Sequence, residues 1–339
     1  MSYSKFNTED IVLSSDTVSV PIWSTGTETL SGPAGLATSS AQVLGLSGNY
    51  YLDVYNKNSN GQPGTVQFAI AYADINGSGS TNYSSEPTTD GYSPSRTNYG
   101  QYRSLVLGDE ESEFYFGGST VVTSSCFWAI SVDRARYRES LQPGALDLTL
   151  KSGSKTLTLV DGGFYNETVV YKDSGRVYNV YDKAVGSNGD VYGYYLPDIG
   201  TILLDCERIG SGSANTITAS RYTASLDGAG RVTDNTYLHN DLVLYNAISS
   251  FTLKEQETVT SNYIFVRAKN SEFNYSINPS NITSTGELKH SVMINQPETY
   301  ITSVGLYNDA NELLAVAKLS RPLAKSFSKE ALIRIKLDY

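Results

Sequence analysis

The sequence predicts a mainly β protein, made of two or three small sandwich-like or barrel-like domains that are joined by long polar loops and contain few short helices. Three observations lead to this fold class. Of the 339 residues, 26 are Tyr, and Tyr and Thr favour half-buried strands. Gly, Asn and Asp recur between the apolar runs, where they favour turns. No long helical tract interrupts this succession of short strands and turns.

The charge balance limits the classes of partner. Charged residues make up only 18% of the chain, and the formal net charge is −10. Nucleic-acid binding draws its affinity from clustered Lys and Arg, so this balance argues against a nucleic-acid partner. The N-terminal segment has no apolar core of signal-peptide length, and no stretch is long enough to span a bilayer. These features predict synthesis in the cytoplasm and no membrane partner.

The first predicted domain spans residues 1–160 and begins with a polar arm. Its strands are predicted at 50–55, 66–72, 102–107, 113–116 and 126–132. Residues 76–95 have almost no aliphatic side chains, so we expect an exposed loop or a segment that a neighbour orders. The stretch after Val132 predicts a short helix that Asp133 caps and that Pro143-Gly144 ends.

The middle predicted domain spans residues 161–255. Strands are predicted at 176–182, 191–195 and 200–205. Residues 187–190, with the sequence SNGD, predict a hairpin turn between the first two of these strands. A second short helix is predicted near residues 241–257.

The last predicted domain, residues 256–339, has the clearest pattern. Strands at 299–307 and 312–319 flank a four-residue loop, which predicts a hairpin. Residues 331–339 predict a third strand that continues to the final residue, so the carboxyl terminus should be held in a sheet. One face of this strand carries Ile333, Ile335, Leu337 and Tyr339. Pro322 interrupts the link before it, and Lys325 and Lys329 are predicted to protect a sheet edge.

Cys126 and Cys206 are the only two cysteines, and 80 residues separate them. Two isolated cysteines form neither a disulfide framework nor a zinc pattern. Because apolar residues flank each of them, the sequence favours buried free thiols, with a single bridge as the alternative. Free thiols also suit a reducing cytoplasm.

The motifs that could carry catalysis are sparse. Both histidines, His239 and His290, lie in polar, turn-like settings, and a Ser-His-Asp triad would have to use one of them. The spacing SxxK occurs at Ser152–Lys155 and Ser326–Lys329 without companion motifs. An acidic cluster comprises Asp109, Glu110, Glu111 and Glu113. Because it lacks the spacing of a calcium loop, we interpret it as a solvated loop.

These observations predict no catalytic residue, no metal site and no cofactor. A carboxylate pair elsewhere in the chain stays open as an alternative, because glycosidase pairs have no fixed spacing in sequence. The many Tyr residues fit either a sugar-binding surface or protein contacts, and their spread along the whole chain favours protein contacts.

Residues 133–138 contain the one dense basic feature. Arg is enriched in protein interfaces because its fork pairs bidentately with carboxylates, so interface or intrachain pairing is preferred here to phosphate binding. Together with the apolar face of the last strand, this gives the candidate interface residues Arg134, Arg136, Arg138, Ile333, Ile335, Leu337 and Tyr339.

Several stretches carry a resemblance to a known family. The ending ETYITSVGLYNDANELLAVAKLSRPLAKSFSKEALIRIKLDY resembles the carboxyl-terminal segment of large virion structural proteins of contractile-tailed phages, particularly the T-even-like phages of cyanobacteria. Residues 67–80, 93–107, 127–150, 189–204 and 266–280 are similar in sequence to the same family. The resemblance is scattered over most of the chain and includes no catalytic motif.

The resemblance implies a non-enzymatic structural component of a tailed bacteriophage virion, and within it a tail or baseplate assembly subunit. Its expected partners are other tail and baseplate proteins and further copies of the chain. Two alternatives within the particle are a peripheral receptor- or polysaccharide-binding protein, which would bind glycan, and a neck or head-surface protein. A glycan-degrading enzyme is the remaining rival.

Overall fold

A computed structural model of the protein describes residues 8–39, 51–77, 95–109, 111–117, 121–211, 236–295 and 297–338. Strands account for 52% and helices for 16% of the described residues, which confirms the mainly β fold. The polar arm before residue 8 and most of the loop predicted at 76–95 lie outside the described residues. No helix among the described residues is long and apolar enough to cross a membrane.

The strands and helices follow one another in this order. The first ten strands are β1 (Ile11–Pro21), β2 (Thr29–Ser31), β3 (Leu36–Thr38), β4 (Leu52–Lys57), β5 (Pro63–Asp74), β6 (Phe114–Gly117), β7 (Val121–Ser124), β8 (Cys126–Val132), β9 (Ser140–Leu141) and β10 (Asp147–Ser152). The next ten are β11 (Lys155–Asp161), β12 (Val170–Lys172), β13 (Gly175–Asp182), β14 (Val191–Leu196), β15 (Thr201–Asp205), β16 (Ile248–Thr252), β17 (Lys254–Ala268), β18 (Glu298–Tyr307), β19 (Leu313–Ser326) and β20 (Ala331–Asp338). The α-helices are α1 (Ser95–Leu107), α2 (Cys206–Ser211), α3 (Thr236–Ala247) and α4 (Ser291–Asn295).

The chain forms two compact units. Unit 1 consists of Met1–Thr17 and Thr258–Tyr339, and unit 2 is Val18–Glu257. The second part of unit 1 therefore begins close to residue 256, where the last predicted domain begins. The boundary predicted after residue 160 falls inside the sheet of unit 2, where β11 pairs with β13.

Unit 2 contains one large antiparallel sheet that curls on itself. The strand order is β2-β16-β10-β11-β13-β14-β15-β8-β5-β4-β3, and β12 pairs with β13 at its side. The two end strands, β2 and β3, are connected by only four residues, which include the 3-10 turn Pro33–Gly35. Four residues span at most about 14 Å, so the ends of the sheet must lie near each other. This curl agrees with the barrel-like domain that the sequence predicts.

One apolar cluster fills the inside of this curled sheet. Every strand of the path contributes side chains to it, from Leu30 on β2 and Phe251 on β16 round to Trp128 on β8 and Leu36 on β3. These side chains alternate along their strands with residues of the outer face, as the period of two requires. A sheet that curls around one interior produces such a single cluster, because every strand turns one face inward.

A second apolar cluster lies on the outer face of the same sheet, where α1 and the hairpin β6–β7 cover it. Tyr99 and Val106 of α1 pack with Phe114, Phe116 and Phe127. The strand predicted at residues 102–107 is therefore wrong, because this segment belongs to α1. Its apolar residues at 99, 102 and 106 follow the i, i+3, i+7 spacing of a helix face, which the alternation YRSLVL obscured.

Both predicted short helices are only partly present. After Val132 the chain makes a 3-10 turn, Arg134–Arg136, in which the Asp133 side chain accepts from the backbone N–H of Ala135 at 2.8 Å. It then extends, because Ser140 and Leu141 pair with β17. The helix predicted near 241–257 ends at Ala247, since the following residues form β16 and pair with β10 and β2.

Cys126 and Cys206 form a disulfide, with their Cα atoms 5.9 Å apart. The prediction of free thiols is thus wrong. The physical reason is the pairing of β8 with β15, whose register places Phe127 opposite Asp205. The next residues along the two strands are the two cysteines, and antiparallel neighbours lie at the separation that a disulfide needs.

Unit 1 is a thin structure of two layers. In one layer β17 pairs with β20 along Ser261–Ala268, and β1 lies on the other side of β17. The other layer is the hairpin β18–β19, whose turn at residues 308–312 places Asn311 at a φ of 62°. The hairpin and the terminal strand that the sequence predicts are both confirmed. The strand pairs with β17, and it contacts the hairpin through side chains.

Candidate interaction surface

Asp109, Ser152 and Lys155 belong to the possible catalytic motifs, and in the structure they take part in loop and strand contacts. Asp109 accepts hydrogen bonds from the Ser112 hydroxyl and from the backbone N–H groups of Glu111 and Ser112, and these bonds lower its pKa. It therefore closes the loop after α1, while Glu110 lies outside the described residues. Ser152 and Lys155 are cross-strand partners at the β10–β11 turn. His290 is exposed, and the His239 side chain is outside the described part of the chain.

Three of the buried carboxylates in unit 2 have a raised pKa, and sequence reasoning did not find them. Asp161 accepts from the backbone N–H of Gly144, and burial nonetheless raises its pKa to about 6. Asp205 accepts from the Ser124 hydroxyl at 2.9 Å and from backbone N–H groups at the start of α2, and burial raises its pKa. Burial raises the pKa of Asp241 well above its ordinary value, and its Oδ1 has no partner among the described residues.

Asp161 and Asp205 accept hydrogen bonds from the backbone. The described residues contain no group of three or more metal-ligating side chains. Asp161 fastens the loop around Gly144, and Asp205 caps α2. No signal in the sequence distinguishes them from solvated acids, because their burial follows from the closure of the sheet.

The predicted arginine cluster is divided among intrachain contacts. Arg134 donates to the backbone oxygens of Tyr137 and Arg138 and stacks over the Tyr137 ring at 4.6 Å. Arg138 pairs with Glu257 at 3.2 Å, and its side chain is 76% exposed. The Arg136 Nε is buried without a hydrogen-bond partner in the described part of the chain. Of the two alternatives, intrachain pairing is what Arg138 shows.

The apolar face of β20 faces the core of unit 1. Ile333 and Ile335 pack with Ile264 and Leu306 in the one buried cluster found among the described residues of this unit, and Leu337 packs at the margin of that cluster. Arg334 and Lys336 are exposed on the opposite face. Tyr339 lies outside the described residues. The predicted alternation is therefore present, and the buried isoleucines contact the chain's own hairpin.

A different apolar surface of unit 1 is exposed, on the outer face of the hairpin. Tyr307, Leu313 and Val316 are 36%, 53% and 62% exposed. They form cross-strand neighbours, since Tyr307 pairs with Leu313 and Gly305 pairs with Val316. An ideal Cβ on Gly305 would lie 2.9 Å from Cε2 of Tyr307, so the Tyr307 ring covers the glycine. The result is a flat apolar face in the middle of the hairpin.

A second exposed apolar feature, here called the strip, is the irregular segment 273–277. Phe273, Tyr275 and Ile277 are 39%, 52% and 47% exposed, while Asn274 between them is buried. Phe273 has a φ of 54°, which is rare for a bulky residue. Its carbonyl accepts from the Thr299 hydroxyl at 2.6 Å. The backbone is thus fixed so that alternate side chains point outward.

Lys325 holds the strip in this position. It is 0% exposed, and its Nζ donates to Asn274 Oδ1 at 2.8 Å, to the Ser326 carbonyl at 3.1 Å and to the Asn270 carbonyl at 3.3 Å. All three protons of the ammonium group therefore have acceptors. The prediction that Lys325 protects a sheet edge is wrong, because the side chain turns inward to this loop.

The β1 strand adds exposed apolar residues at the edge of the other layer. Ile11, Val12 and Leu13 are 46%, 47% and 68% exposed, and among the described strands β1 has a neighbour on one side only. An exposed edge strand offers unpaired backbone groups to another chain. Sequence patterning held one clue to these surfaces, because the run LLAVA in β19 is apolar on both faces where a strand with one buried face would alternate.

Comparison with known proteins adds no relative. No protein-family model matches the chain, no curated protein is significantly similar in sequence, and no solved structure is significantly similar in fold.

Proposed function

We propose that the chain is a structural component of a tailed bacteriophage virion, a tail or baseplate assembly subunit that acts through protein–protein interfaces. The observation that carries this proposal is the exposed apolar surface of unit 1, formed by the hairpin face, the strip and β1. The resemblance of six stretches of the sequence to virion structural proteins supports the kind of particle.

Unit 1 exposes much apolar surface relative to the apolar surface that it buries. The buried cluster of unit 1 contains Ile264, Leu306, Ile333 and Ile335, while side chains as large as Tyr275, Leu314 and Val316 stay exposed. Burying apolar surface stabilises by about 25 cal/mol per Å². A partner that covers these residues would therefore add stability that the unit lacks by itself. Large exposed apolar patches in soluble proteins mark interaction sites.

The test is incorporation into particles. In a phage that lacks the gene for this chain, the chain is supplied from a plasmid, and purified particles are analysed by mass spectrometry and by gold labelling. We expect the label on the tail or baseplate. Tyr275→Asp combined with Ile277→Asp should reduce incorporation, whereas Val185→Asp, which changes an exposed residue of unit 2, should not.

The outcomes separate the alternatives. Absence of the chain from purified particles contradicts the proposal. Label at the tail periphery, together with binding of the purified chain to host envelope polysaccharide, would favour the receptor-binding alternative. New reducing ends released from that polysaccharide would identify an enzyme.

A further inference from the structure

The outer face of the hairpin β18–β19 has a charge distribution that is complementary to itself. Its turn carries the exposed acids Asp309 and Glu312. Past the apolar centre, β19 carries the exposed bases Lys318, opposite Ser303, and Arg321, in the irregular stretch before Leu323. The exposed acid Glu298 lies at the far end of β18, beyond these bases. The apolar face of Tyr307, Leu313 and Val316 lies between the acids of the turn and the bases. From the turn to Arg321, the face therefore runs in the order acidic, apolar, basic.

We infer that this face binds the same face of a second copy of the chain, around a two-fold axis that passes near the Gly305–Val316 pair. In such an isologous contact each residue meets its counterpart on the partner, so the surface must be complementary to itself. Rotation by a half turn places the acidic turn of one hairpin over the basic end of the other. The apolar centres then cover each other.

The geometry of the hairpin suits this contact. Because the Tyr307 ring fills the space above Gly305, the centre of the face is flat and can lie against an identical surface. From Leu313 to Lys318 the strand advances by about 16 Å, at about 3.3 Å per residue, so the acidic and basic ends lie on opposite sides of the apolar centre. Charges at the rim of such a contact fix its orientation, and like charges there oppose it.

The inference rests on one part of the proposed function, that unit 1 carries protein–protein contacts, and it does not depend on the kind of particle. Failure of the two is distinguishable. A chain that is incorporated into virions but stays monomeric when purified contradicts only the dimer. A dimeric chain that is absent from virions contradicts only the virion role.

The experiment uses two charge-reversal variants of the full-length chain. Variant A carries Asp309→Lys and Glu312→Lys, which make both ends of the face basic. Variant B carries Lys318→Glu and Arg321→Glu, which make both ends acidic. Lys151→Glu, an exposed change on β10 in unit 2, is the control. Circular dichroism shows whether each variant is folded, and analytical ultracentrifugation gives the mass of each in solution.

We expect a dimer for the wild-type chain and for the control, and dimerisation that is weakened more than about tenfold for A and for B alone. Mixing A with B should restore the dimer. The basic turn of A then meets the acidic end of B, and the acidic turn of B meets the basic end of A. A wild-type chain that is monomeric up to 100 μM, on the order of the concentrations at which specific dimers form, contradicts the inference. A dimer that A and B leave unchanged, or a mixture that stays monomeric, contradicts it as well.

Discussion

Unit 2 and unit 1 are both antiparallel β structures, but they bury their apolar side chains to different extents. The sheet of unit 2 curls until its end strands are linked by four residues, and apolar clusters cover its inner and outer faces. Unit 1 consists of two small sheets that enclose a cluster of four buried side chains. Most of the exposed large apolar side chains of the described residues belong to unit 1, although it is the smaller unit.

The two units differ in how much sheet edge and how much apolar face they leave uncovered. Along the strand path of the large sheet, only the end strands β2 and β3 lack a second partner among the described strands. Two short sheets keep their edges and leave their outer faces uncovered. Among the described residues, unit 2 therefore buries most of its large apolar side chains, whereas unit 1 leaves many of them exposed.

The largest effect is expected from deletion of Ala331–Tyr339. The deletion removes Ile333 and Ile335, half of the buried cluster of unit 1, and a small domain has only about 3–5 kcal/mol of stability to lose. Loss of one such side chain costs about 2–5 kcal/mol. We expect residues 258–330 to lose protection in hydrogen exchange, while the strands of unit 2 keep it. Equal loss of protection in both units would contradict separate stabilities for unit 1 and unit 2.

The next largest effect concerns the disulfide of unit 2. It closes a loop of 80 residues, for which loop-closure entropy gives a stabilisation of about 4 kcal/mol. Cys126→Ala with Cys206→Ala should lower the free energy of unfolding of unit 2 by about this amount, as measured in urea. The wild-type chain unfolded with reductant is the matched comparison. Two thiols that react with a thiol reagent in the denatured, unreduced chain would show that no bridge forms.

Asp161 makes the stability of unit 2 depend on pH. Its pKa in the folded chain is about 6, above the ordinary value of 3.8, so between these values the folded state holds a proton that the unfolded state releases. The stability that Asp161 contributes is thus fully present below about pH 4 and is lost as the pH rises through 6. The shift corresponds to about 3 kcal/mol.

Asp161→Asn should remove this dependence, so the difference in free energy of unfolding between variant and wild type should change by about 3 kcal/mol from pH 4 to pH 7. Urea titrations at four pH values measure it. Asp173→Asn, a change to an exposed carboxylate, is the control. A constant difference across this range would mean that the carboxyl group is solvated.

Lys325 tests whether the strip of unit 1 is held from inside. Lys325→Met keeps most of the side-chain volume but leaves three oxygen acceptors without donors, which should cost about 2 kcal/mol. Hydrogen exchange at residues 270–278 should rise more than elsewhere. Lys329→Met changes an exposed neighbour and should alter the stability by less than about 0.5 kcal/mol. Equal effects of the two changes would contradict the anchoring role.

Sequence patterns predict where the strands lie better than they predict which strands pair with each other. The continuous apolar run CFWAISV and the alternation in ALIRIKLD mark β8 and β20 to within a residue, because both patterns are local. The pairing of β2 with β16 joins Thr29 to Thr252, and no local pattern encodes it. The disulfide depends on the same kind of long-range register. The burial of Asp161 and Lys325 follows from tertiary contacts that the sequence does not display.

The candidate surface is harder to predict than the fold. Whether an apolar side chain is exposed depends on which elements pack over it, and that packing has no local sequence pattern. The terminal isoleucines were interpreted as interface residues from their alternation alone. The hairpin that covers them is close in sequence, yet nothing in its pattern indicates that it folds onto β20. The residues that stay exposed, such as Tyr307 and Val316, belong to that same hairpin.

The smallest effect is expected at Arg138, the best-paired member of the predicted arginine cluster. Its guanidinium lies 3.2 Å from Glu257, but 76% of the side chain is exposed. Water and salt screen such a pair, so Arg138→Ala should change the free energy of unfolding of unit 2 by less than about 0.5 kcal/mol. A double-mutant cycle with Glu257→Ala measures the coupling. A coupling above about 1 kcal/mol would contradict the expectation that this pair stabilises unit 2 no more than an exposed ion pair does.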